Sequence, residues 1–216
     1  MLIGFLFLQG AVGEGKAKVE GFGGFGHFNL GIGIPQIQEL SSYLKDKGYG
    51  NLSNQFIVTG GSGYGVIKRV LIGGGSGRLL TQTLRNDSKT LQISGSYGFF
   101  NVGYLIFSNK RFNFYGIFGI GGGSIEFTLI ENFSGGFDTL FVNPPKTAKF
   151  SSGSYALQLS LQGDISLYGL SLGLKMGYSY ALGGGWEVWG KDVAGGPKAN
   201  VGGIFFNLLI GGGFLF

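Results

Sequence analysis

Little in this chain is equipped for chemistry, and what there is lies scattered. His27 is the single histidine, and there is no cysteine. Thiolate nucleophiles, disulfides and thiolate metal sites therefore drop out. A catalytic histidine needs a nucleophile and an orienting acid beside it. Glu20 is close in sequence, but no spacing ties it to His27 as a set. Carboxylates at metal-ligand spacing from His27 are missing too. The expectation is no catalytic residue, no metal and no cofactor. The glycine runs at 60–65 (GGSGYG), 73–77 (GGGSG) and 119–124 (GIGGGS) look like phosphate loops only in isolation. A phosphate loop needs a strand before it and a helix N-terminus after it. Here a strand pattern continues on both sides, as in IFGIGGGSIEFTL. The glycines are expected to thin a sheet where large aromatics pack.

Two charges stand apart from this background. Asp164 and Lys175 are the only ionisable side chains other than tyrosine between Tyr155 and Leu182. They fall on the polar face of a hairpin, as diagonal cross-strand neighbours. Such a pair would hold an interior together, or set selectivity if water passes. Trp186, Trp189 and the GGPK turn at 195–198 fall in a long connection. They fit a sugar or partner contact and an interfacial anchor equally well.

The elements that must position these residues are strands. Period-2 alternation is clearest over 154–182. Tyr155, Leu157, Leu159, Leu161, Ile165 and Leu167 share one face, and Gln158, Ser160, Gln162 and Asp164 lie on the other. Leu170, Leu172, Leu174, Met176, Tyr178 and Tyr180 then alternate with Ser171, Gly173, Lys175, Gly177 and Ser179. A two-residue turn at 168–169 pairs Leu167 with Leu170, Leu161 with Met176 and Leu159 with Tyr178. A slip of one residue would set every leucine against a small or polar residue and destroy this match. The aliphatic face, with Tyr155, Tyr178 and Tyr180 at its far end, suits a lipid-facing band closed by an aromatic girdle.

Other strands are expected at 16–34, 54–67, 70–82, 89–108, 111–131 and 200–216, which makes about eight. Within 89–108 the apolar phase changes from Leu91, Ile93, Tyr97 and Phe99 to Phe100, Val102, Tyr104 and Ile106. Either a bulge near Phe99-Phe100 or burial of both faces accounts for this. Connections at 67–70, 108–111 and 167–170 are tight. Those at 35–53, 132–150 and 183–199 are long, and 83–88 is intermediate. Short and long alternate, the pattern of an antiparallel up-and-down β-barrel. The first long connection carries one short helix, expected to open at Pro35, to present Ile37, Leu40 and Leu44 on one face and to end at Gly48.

Composition agrees. Charged residues make up 12% and hydrophobic ones 44%, against a usual charged share of ~25%. No apolar stretch reaches the ~18 residues of a membrane helix, and a membrane chain without one must close a barrel. The net charge is +5, and basic residues cluster only as Lys68-Arg69 and Lys110-Arg111, which argues against a nucleic-acid partner. Residues 1–15 hold the apolar run Met1–Leu8, which fits a signal remnant or an N-terminal plug. Residues 16–216 form the single barrel domain.

The chain ends LLIGGGFLF, with Phe214 and Phe216 in its last three residues. This resembles the last strand of bacterial outer-membrane proteins. Size and loop pattern are similar to small eight-stranded members such as the OmpA transmembrane domain and the OmpX and OmpW types. The resemblance implies the bacterial outer membrane, a lipid bilayer around Leu157, Leu159, Leu161, Leu170, Leu172, Leu174 and Met176, and an assembly signal at Phe214 and Phe216 read by the barrel-assembly machinery. It implies a structural, adhesive or narrow-pore role without enzymatic activity, and leaves the oligomeric state open. A soluble or periplasmic calyx with the aliphatic face inward, a self-assembling secreted β-protein and a lipid-directed enzyme remain as rivals. The membrane reading expects an arginine to be costly at Leu159 and mild at Gln158.

Overall fold

The computed structural model describes residues 22–109, 111–133, 136–167 and 169–215. The segment 1–15, the first residues expected of strand one, and Phe216 lie outside it. Eight strands close into a ring: β1 (Phe22–Gln36), β2 (Phe56–Ile67), β3 (Val70–Arg85), β4 (Lys89–Ser108), β5 (Phe112–Glu131), β6 (Thr147–Leu167), β7 (Leu170–Val188) and β9 (Asn200–Leu215). Each neighbour pair is antiparallel in chain order. The ring shuts where β9 pairs with both β7 and β1. A three-residue strand, β8 (Lys191–Val193), folds back on β7 as an outlying hairpin. Closure satisfies the backbone of every wall strand, the condition for a sheet to sit in lipid.

The β6–β7 register follows the aliphatic pattern. Leu167 pairs with Leu170, Leu161 with Met176 and Leu159 with Tyr178. Those leucines face outward and are exposed, Leu159 and Leu174 at 66% each. Around the ring the same level carries Phe28, Ile32, Ile57, Ile72, Phe100 and Ile210, all exposed. An aliphatic belt encircling a chain is far larger than the apolar patches of soluble monomers. Every ring strand is at least 12 residues long, above the ~9–11 that cross a bilayer. The belt is the outward apolar surface of the barrel. A calyx, which needs this face inside, does not fit. No described helix is long and apolar enough to cross a membrane.

Above Tyr155 and Tyr180 the outward residues turn polar. Glu126 and Lys149 pair there at 2.9 Å. The inward residues do the reverse. This explains β4, where no bulge interrupts the ladder at Phe99-Phe100: they pair without shift to Gly121 and Ile120. Leu91, Ile93 and Phe99 point inward while Phe100, Val102, Tyr104 and Ile106 point outward. The alternation holds from Leu91 to Ile106. The apolar side changes because the strand passes from the apolar mouth, where the core lies inside, to the level of the outer apolar belt. Register shifts occur instead between Leu79 and Gln82 and between Leu105 and Phe107.

The first connection does carry a helix, α1 (Gln38–Asp46). Pro35 does not open it. It closes β1, where the ladder with β9 shifts between Pro35 and Gln36, consistent with a residue that has no N–H to give. Ile37 is the N-cap, and Ile37, Leu40 and Leu44 are buried. They pack with Phe56, Val58, Leu79, Leu91, Ile93 and Ile125 from the inner wall, so the helix plugs the mouth from within. Gly48 ends it with φ of 79°. The next long connection holds a six-residue helix, α2 (Phe137–Val142), that the sequence pattern does not announce.

Candidate functional site: a packed polar lumen under an apolar mouth

The lumen has two storeys. The lower one, beside the tight turns, is polar and aromatic, because the inward positions of β1, β6 and β7 opposite the aliphatic outer face are mostly polar residues and glycine, with Phe25 among them. Asp164 and Lys175 both lie here and are buried. They do not form a direct ion pair. Lys175 Nζ donates to the Tyr64 hydroxyl at 3.3 Å, which also accepts from Asn101 Nδ2 at 3.3 Å. Asp164 Oδ2 accepts from Gln162 Nε2 at 2.9 Å. Gln162 stands directly across from Lys175, so the two charges share this residue as neighbour. Burying charges is tolerable only with such hydrogen bonds.

His27 joins the same storey. Its Nε2 lies 3.2 Å from Ser171 Oγ and 3.9 Å from Asp164 Oδ1. Serine, histidine and aspartate thus meet, but not as a triad. A triad engages the serine through one ring nitrogen and the acid through the other. Here both partners crowd Nε2, and Nδ1 has no hydrogen-bond partner. The ring is walled in by Phe25, at 5.1 Å between centroids. Glu20 lies outside the described residues. Ser171 and Tyr64 escape sequence reasoning: they reach His27 and Lys175 only after the ring closes.

Higher up, Gln158 Nε2 donates to Ser179 Oγ at 3.3 Å. The cavities at this level have volumes of about 30 and 20 Å³, room for a water or two. The expectation that arginine would be mild at Gln158 meets this packing, and the cost of that substitution tests how full the lumen is. The position is lumenal, but the lumen is packed rather than open, as expected of eight strands.

The upper storey is apolar. Phe127 stacks on Phe150 at 4.3 Å and meets Trp186 edge-on at 4.9 Å. Trp186 is not a loop residue. Gly183 and Gly184, at φ of 100° and 120°, let β7 change phase opposite the shift between Ser152 and Ser154 in β6. The strand then runs on to Val188 and turns Trp186 inward. Its Nε1 donates to the Pro197 carbonyl at 2.6 Å. Trp189 is exposed, as are Phe133, Phe137 and Phe141 of the loop crown. Tyr155, Tyr178 and Tyr180 lie on the outer surface, with Tyr155 and Tyr180 at the upper limit of the belt. Phe214 pairs through its backbone with Gly24, and Phe216 lies outside the described residues.

No family model and no curated protein matches the chain. Among solved structures it is similar to Ail, the attachment invasion locus protein of Yersinia pestis. With the heparin analogue sucrose octasulfate bound, Ail has 12% identity and a TM-score of 0.48 over 90% of this chain and 99% of that one. Another Ail structure gives 13% and 0.45 over 90% and 99%. The outer membrane protease OmpT from Escherichia coli gives 9% and 0.41 over 92% and 98%.

Proposed function

We propose that this chain is a sealed barrel of the bacterial outer membrane with a structural or adhesive role, and not a pore or an enzyme. The observation that carries the reading is the packed lumen. Two cavities of about 30 and 20 Å³ lie in its polar storey, and α1 packs across part of the mouth above it. A continuous water path would need the side chains of the polar storey to move together. The part left to act on the surroundings is the loop crown, whose Phe133, Phe137, Phe141 and Trp189 are exposed. Reconstitution into planar lipid bilayers tests this. The expected record is free of single-channel steps at physiological salt. Reproducible steps from the refolded, full-length chain would overturn the sealed reading in favour of a narrow pore.

A further inference from the structure

We propose that the loop-side mouth binds a single-chain amphiphile with an anionic head, of the fatty carboxylate kind. The proposal stands whether or not the barrel conducts. Beside the plug helix the mouth is hollow. A cavity of about 460 Å³ opens between α1, the β3–β4 turn, the inner walls of β4 to β7 and the 193–197 turn. This lies within the ~300–1,000 Å³ typical of small-molecule sites.

The lining divides by chemistry. Leu91, Phe127, Leu129, Phe150 and Trp186 form an apolar wall, and α1 faces them with Leu40 and Leu44. Polar groups come from Tyr43, Tyr49, Asn86 and Ser88. Among the described residues the charged lining side chains are Lys47 and Lys89, both exposed, and none is a carboxylate. An apolar interior with two cations and no acid selects a ligand with an apolar tail and an anionic head. A wholly polar anion would leave the tail region unmatched, and a cationic amphiphile would meet like charge.

The cavity is also held open by contacts within the chain. The Phe127–Phe150 stack and the Trp186 edge contact set one wall. The Trp186 bond to Pro197 fixes the last turn, and the Lys198 N–H donates to Glu39 Oε2 at 3.0 Å, tying that turn to α1. A site preorganised this way loses little freedom when it fills. It lies inside the wall, above the Tyr155 and Tyr180 level, so it opens toward the loops and not into the bilayer.

Trp186 supplies the readout. It is one of two tryptophans, and Trp189→Phe leaves it as the sole one. The full chain in phosphatidylcholine nanodiscs is titrated with 12-bromododecanoate, whose bromine quenches indole on contact. Expected is saturable quenching, with half-saturation raised at least tenfold in Lys47→Gln/Lys89→Gln. Ala194→Phe, which fills the opening from an exposed turn position, should remove the saturable part while the barrel stays resistant to SDS. The cationic 12-bromododecyltrimethylammonium should give no saturable quenching. Equal quenching by both head groups, or quenching untouched by Ala194→Phe, would mean the probe acts from the bilayer, and the proposal would fall.

Discussion

Two sectors of the wall present opposite side chains on the outer face of the ring. β6 and β7 present Leu157, Leu159, Leu161, Leu170, Leu172 and Leu174. Across the ring, Gly26 of β1 pairs with Gly63 of β2, which pairs with Gly74 of β3, and Gly212 of β9 extends the row. Glycine also lines the inside of the glycine-rich strands, and the space around it differs. A Cβ at Gly73 would strike the Gly63 carbonyl and the Tyr64 ring, and one at Gly121 the Gly98 carbonyl. A Cβ at Gly63 or Gly98 would meet nothing within 4 Å. Glycine therefore has two uses here. Inside, it lets the wall close around Tyr64 and Tyr97. Outside, at Gly63 and Gly98, it leaves bare backbone with room for a Cβ, whereas Gly212 of the same row has the Gly169 carbonyl against it.

The comparison breaks most visibly at an inward glycine. Gly121→Leu has backbone on the colliding side, and backbone in a closed ring cannot retreat. We expect loss of the folded, SDS-resistant barrel, beyond the ~4–5 kcal/mol that marks an exceptional single substitution. Next comes the leucine sector. Leu159→Arg should cost ~2–4 kcal/mol at the midplane, read by urea unfolding in lipid vesicles. A cost near zero would mean that this face does not meet lipid. On the other side of the same strand, Gln158→Arg should cost ~1–3 kcal/mol by overpacking, with Gln158→Ser much milder. If the arginine is tolerated as well as the serine, the lumen is open and the sealed reading falls with it.

The two sectors also differ in how legible they are. The β6–β7 register can be read from residues alone because leucine and polar residues alternate without exception, so only one pairing keeps them apart. In β2 and β3 glycine stands on both faces, and the alternation carries no sign of which side is inner. β4 misleads in another way. Its apolar residues change sides near Phe99, which looks like a bulge until the change of surroundings along the strand is known. The lumenal placement of Asp164 and Lys175 follows from the polar face of the hairpin. Their contacts with Tyr64, Gln162 and His27 depend in part on strands that closure alone brings near. Trp186 was hidden by its own glycines: Gly183 to Gly185 look like a loop, whereas they carry β7 through a change of phase.

The smallest effect tests the outer glycines. If Gly63 is bare only because lipid asks nothing of it, a side chain there should be accepted. Gly63→Val keeps a backbone that β-branched residues favour and reduces the freedom of the unfolded chain. The expected result is a gain of ~0.4–1 kcal/mol in the same vesicle assay, with no change in the SDS-resistant fraction. A loss of stability would mean that the Gly26–Gly63–Gly74 row is covered in the membrane and that close approach at this strip needs the bare backbone. The aliphatic sector offers no such test, since every outward leucine already fills its space. The sign of this one substitution therefore decides whether the two sectors differ in function or only in composition.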